Sequence, residues 1–103
     1  MSKDNGTRAG VGRDDPRVGS VCVSLAGHDA GLILVIVGAA DDDMVFVADG
    51  RTRKLSYPKP KKTKHISILT RLSQDVCEKI AGGEATDSLL RREINRFIGQ
   101  RLN

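Results

Sequence analysis

The chain has 103 residues, a net charge of +4 and almost no aromatic content: two phenylalanines, one tyrosine and no tryptophan. That length fits one small domain with attachments, and burial of about 60–65% of the unfolded surface leaves little room for a deep catalytic cleft. The opening "MSKDNGTRAGVGRDDP" lacks the apolar core of a leader peptide, and the longest apolar run, "GLILVIVGAA", is too short to span a bilayer.

Residues 1–16 are polar, mix both charges and lack apolar periodicity, which predicts a flexible tail. Val21, Val23 and Leu25 then alternate with Cys22 and Ser24, the period of a strand. "LILVIV" at 32–37 is rich in β-branched residues and short for a helix, so it predicts a second strand. "MVFVAD" at 44–49 predicts a third, and the turn pair Asp49-Gly50 leads to a fourth over "RTRKLSY" at 51–57. "KHISIL" at 64–69 predicts the fifth. Five short strands joined by small turns favour a small curved barrel, which buries apolar faces and removes exposed edges.

The period changes near the C-terminus. Ser73 is placed to cap a helix over "QDVCEKIAGG", with Leu72 stapled against Cys77 and Gly82-Gly83 as the stop. Thr86 is placed to cap "DSLLRREINRFIGQRL", with Asp87 at its positive end. Leu90, Ile94 and Phe97 share one face, which predicts packing on the outside or an open end of the barrel. The expected organisation is therefore a tail at 1–16, a mainly β barrel at 17–70 and two short helices at 71–103.

The positive charge is concentrated. Residues 17–50 hold Arg17 against five acids, whereas residues 51–71 hold eight basic side chains and no acid. Such a block is either a solvated face or the footprint of a polyanion partner. Pro58 and Pro60 oppose helix formation, so Lys59, Lys61, Lys62 and Lys64 spread along an extended segment. Arg51 and Arg53 would share one face of a regular strand, with Lys54 opposite. Tyr57 is either a packing residue or a stacking platform. The scarcity of aromatic rings argues against a reader of single strands and favours folded RNA held through backbone and shape.

Other chemistry finds little support. Cys22 and Cys77 have no CxxC spacing, which suggests neither a zinc ribbon nor a redox pair, and a reducing cytoplasm is the expected compartment. Asp41, Asp42 and Asp43 lack partner acids at calcium-loop spacing and read as a solvated turn, so no metal is expected. Ser24, Ser56 and Ser73 lie in no nucleophile elbow, and His28 and His65 lack carboxylates at motif spacing, so no enzyme and no cofactor is expected.

Two glycines four apart, Gly27 and Gly31, bracket "HDA" between the first two strands, a turn in which glycine permits left-handed backbone angles. "VGSVCVSLAGHDAGLILVIVG" at 18–38 resembles the KOW motif: an alternating strand, a glycine-bearing turn and a second apolar strand. "DDDMVFVADGRTRKLSYPKPKKTKHISIL" at 41–69 resembles the continuation in small bacterial KOW-domain RNA-binding proteins, which are similar to a family of eukaryotic and archaeal large-subunit ribosomal proteins. The resemblance covers residues 17–70 and implies an SH3-like barrel that binds structured RNA, commonly ribosomal RNA. It assigns Gly27 and Gly31 to the KOW turn, His28 and Asp29 to its tip, and Arg51, Arg53 and Lys54 to the turn after the third strand. Ala30 stands where a lysine is common in KOW turns, so "GHDAG" carries no permanent positive charge.

The resulting expectation is a monomeric RNA-binding protein of the translation machinery. Its contacts are Arg51, Arg53, Lys54, Lys59, Lys61, Lys62, Lys64 and His28, with ribosomal proteins as possible neighbours and no membrane. The alternative is a protein-interaction module of the transcription or translation machinery. Duplex DNA is a third reading, but no basic recognition helix supports it, since Arg91 and Arg92 are followed at once by Glu93.

Overall fold

A computed structural model describes residues 15–102. The expected tail therefore lies almost wholly outside the described residues. Strands β1 (Ser20–Ser24), β2 (Ile33–Asp41), β3 (Met44–Ala48), β4 (Lys59–Lys62) and β5 (Ile66–Arg71) form one sheet of order β4-β3-β2-β1-β5. Every neighbouring pair is antiparallel. Helices α1 (Gln74–Ala81) and α2 (Asp87–Leu102) follow, and a 3-10 turn at Thr63–His65 joins β4 to β5.

Register sorts the side chains onto two faces. Cys22 lies opposite Leu34, Ile36 opposite Val47, and Val47 opposite Lys59, while Val45 lies opposite Ala39 and Lys61. Cross-strand partners share a face, so these residues form one surface of the sheet. Val37 and Phe46 belong to the other surface, where they meet Ile80 and Ala85 across a cleft. The helices close that second surface with Val76, Ile80, Leu90 and Ile94, all buried in the same core as the strand valines.

The helix caps are as the sequence indicates. Ser73 Oγ accepts from the Val76 amide at 3.3 Å, and Thr86 Oγ1 accepts from the Leu89 amide at 3.1 Å. Each satisfies one of the orphan donors of a first turn. Asp87 does more than complement the helix end: its Oδ1 accepts from the Leu55 amide at 2.8 Å. Arg91 Nη1 donates to the Gly50 carbonyl at 2.7 Å, so α2 is tied to the 49–58 loop at two points. Gly50, at φ +77°, lies against the Asp87 backbone, where a Cβ would collide with the carbonyl.

Three expectations are corrected. First, the sheet is open, with β4 and β5 as its edges. The helices form a second layer over the surface that carries Val37 and Phe46. The edges are defended instead by Lys59, Pro60, Lys61 and Lys62 in β4 and by a bulge where β5 meets β1. Second, 51–57 is not a strand. Asp49 Oδ1 accepts from the amides of Arg51 and Arg53, and the Arg53 carbonyl accepts from the amides of Asp49 and Gly50. The backbone groups that a strand would offer to a neighbour are consumed within the loop. Third, the fourth strand is the lysine-proline segment 59–62, which tolerates Pro60 because an edge strand needs only half of its backbone paired. Arg51, Arg53 and Lys54 accordingly do not alternate across a sheet. Lys64 and His65 lie in the 3-10 turn, so β5 starts two residues later than expected.

Candidate nucleic-acid interface

The turn between β1 and β2 is closed by its own backbone. Gly31 N donates to the Ser24 carbonyl at 2.8 Å, Ser24 N donates to the Leu32 carbonyl at 3.0 Å, and Leu32 N donates to the Asp29 carbonyl at 2.8 Å. Gly27 and Gly31 sit at φ +80° and +88°. An added Cβ at Gly31 would meet nothing within 4 Å, so its requirement is the left-handed backbone and not a close approach. His28 and Ala30 are exposed at the tip, while Asp29 between them turns inward and is 5% exposed.

Asp29 is the centre of the basic block. Lys59 Nζ lies 2.9 Å from its Oδ2, Arg53 Nη2 3.5 Å from its Oδ1, and Lys61 Nζ 4.0 Å from Oδ2. The Lys59 contact is the closest of the three, although its angle falls short of a well-aligned hydrogen bond. The Lys59 ammonium, aided by Arg53 and Lys61, holds the Asp29 carboxyl below the usual carboxylate range against the opposing effect of burial. Lys61 Nζ also donates to the Ala26 carbonyl at 2.9 Å. Lys59 and Lys61 are two apart on β4, so strand alternation sends both to the surface that the turn covers.

The expected contacts thus divide. Lys61 is 7% exposed and committed to the turn, which corrects its expected role as a phosphate contact. Arg53 and Lys59 are half-buried, each presenting one side to Asp29 and the other to solvent. Arg51, Lys54, Lys62, Lys64 and His28 are exposed. Arg71, the last cation of the block, is spent on the Pro16 and Val18 carbonyls. Asp29 escapes a search for cations. Its signal is a lone carboxylate in a turn, with lysines at alternating positions in a strand to come.

The acidic turn is a structural piece. Asp41, Asp42 and Asp43 are exposed, and Asp41 Oδ1 accepts from the Asp43 amide at 2.8 Å. Arg17 bridges from Asp15 to the Asp41 and Asp42 carbonyls, at 2.8 and 3.0 Å. Both cysteines are buried. Burial pushes the Cys22 thiol up to about 12, with Lys61 opposing the shift, and burial also raises Cys77. Among the described residues, no helix is long and apolar enough to cross a membrane. No known family model and no curated protein matches the chain.

Proposed function

We propose that the protein binds structured RNA without catalysing a reaction, with ribosomal RNA of the large subunit as the target that the KOW resemblance implies. The observation that carries this reading is the gathering of the acid-free segment at one sheet edge and the loop beside it. Arg51 and Lys54 are exposed on the loop, and Lys62 and Lys64 at the end of β4 and the turn after it. The order β4-β3-β2-β1-β5, with a 3-10 turn between the two edge strands, supports an SH3-like reading of the domain. Lysine and arginine presented this way suit phosphate contact, which sets position on an RNA more than it reads sequence.

The test is a titration of a ribosomal RNA fragment at several salt concentrations. Four phosphate contacts give a slope of log affinity against log salt of roughly −3 to −3.5. A slope near zero removes the basic face from the interface. Absence from every ribosomal and pre-ribosomal fraction of a low-salt sedimentation gradient removes the ribosomal assignment.

A protein partner is favoured by a different observation. Leu25, Ile68 and Leu69 are exposed at 57%, 50% and 38%, on or beside edge strand β5. Partners retained on the immobilised protein after nuclease treatment would support that reading.

A further inference from the structure

Tyr57 is 85% exposed, although it is the chain's only tyrosine and the core draws on few other rings. It does not project from a floppy loop. Its amide donates to the Lys54 carbonyl at 3.0 Å, and Pro58 follows at once with a fixed φ. The adjoining groove is lined by Phe46, Arg53, Tyr57, Pro58, Lys59 and Pro60. Its apolar parts are two aromatic rings and two prolines, and its charged parts are both cations. Behind the groove Asp29 holds Arg53 and Lys59 in place, and one carboxylate against three cations leaves the cluster positive.

A wet aromatic face beside two anchored cations suits a ligand that is planar and apolar on one side and anionic on the other. A nucleotide has that form, but only when its base is unstacked, because a paired helix hides its base faces. We propose that this groove takes one unpaired nucleotide of a folded RNA, its base stacked on Tyr57 and its phosphate against Arg53 and Lys59. The inference rests on the RNA-binding reading and names the class of RNA: a helix carrying a bulged or looped-out base. A proline-rich peptide also seeks aromatic grooves, but it uses several exposed rings and needs no paired cations. Here Phe46 is half-buried and Tyr57 stands alone.

The test uses the full chain and two hairpin RNAs that are identical except for one bulged adenosine. Because the protein has a single tyrosine, its ring resonances report on this groove alone. The bulged hairpin is expected to bind roughly five- to hundredfold more tightly than the paired one and to shift the Tyr57 ring protons upfield. Tyr57→Ala should abolish that preference while leaving the thermal midpoint and the affinity for the paired hairpin unchanged. Tyr57→Phe should retain the preference. Equal binding of both hairpins with no ring shift overturns the inference, as does a preference that survives Tyr57→Ala. A proline-rich decapeptide that moves the ring resonances when the bulged hairpin does not would assign the groove to a protein partner. Failure of the wild-type protein to bind either hairpin would overturn the inference together with the RNA reading.

Discussion

The ammonium of Lys59 lies 2.9 Å from Oδ2 of Asp29, joining edge strand β4 to the turn between β1 and β2. Lys61 reaches the same turn from the same strand, and Arg53 arrives from the loop. The basic block is therefore partly an internal fastening and only partly a surface for a partner. Removing one member of a buried ion pair leaves the others desolvated without compensation.

Asp29→Asn is expected to destabilise the fold by about 2–3 kcal/mol at neutral pH. Its folded-state pKa is depressed, so its contribution is fully present above the unfolded value near 4 and is lost as pH falls through the folded value. Urea unfolding of both proteins at pH 7 and again near pH 2.5 checks this. The gap between them should narrow in acid, and a gap that stays constant would mean the carboxylate charge is not the stabilising feature.

Lys62→Ala with Lys64→Ala should separate binding from stability. Both side chains are exposed, so the melting temperature should stay within about 2 °C, while the salt slope for RNA becomes shallower by about 1.5 to 2. Lys61→Ala should do the reverse, lowering stability by about 1–3 kcal/mol through loss of the bond to the Ala26 carbonyl. Differential scanning calorimetry and RNA titration of the two variants give the comparison. A Lys61→Ala protein of normal stability with weak binding would put that lysine back on the RNA.

Gly31→Val should cost about 1–3 kcal/mol, because a β-branched residue strongly resists φ +88°. Space is not the obstacle, so Gly31→Asn, which tolerates the left-handed region, should recover much of the loss. Thermal melts of both variants test this. Equal destabilisation by Val and Asn would show that something other than backbone strain matters at this turn.

Neither Cys22 nor Cys77 should react with a thiol reagent at pH 8 in the folded protein. Both are buried with raised pKa values, Cys22 up to about 12, and the thiolate is the reacting form. In strong urea both should label quickly. Mass spectrometry after brief alkylation counts the modified thiols, and rapid native labelling of Cys22 would contradict its place in the core.

Local pattern was enough for much of the architecture. The alternation at Val21 and Val23, the β-branched run into β2 and the caps at Ser73 and Thr86 are short-range features, and their physics is complete within a few residues. The concentration of positive charge was equally plain, because charge is a property of composition. What local pattern misplaced was the 51–62 region. "RTRKLSY" has acceptable strand residues, but the Asp49 side chain captured its amides, while "KPKK" became a strand because β3 offered it an edge. The strand order also depends on distant partners, since edge strand β5 pairs with β1 some forty residues before it. Tertiary structure likewise divided the cations. Asp29 is some thirty residues before Lys59 and Lys61, and only the folding of the first turn over the last paired strand of the lysine segment brings a single carboxylate among them. Sequence thus set how much positive charge the domain carries, and long-range packing decided which of it faces inward, because an ion pair depends on distance in space rather than position along the chain.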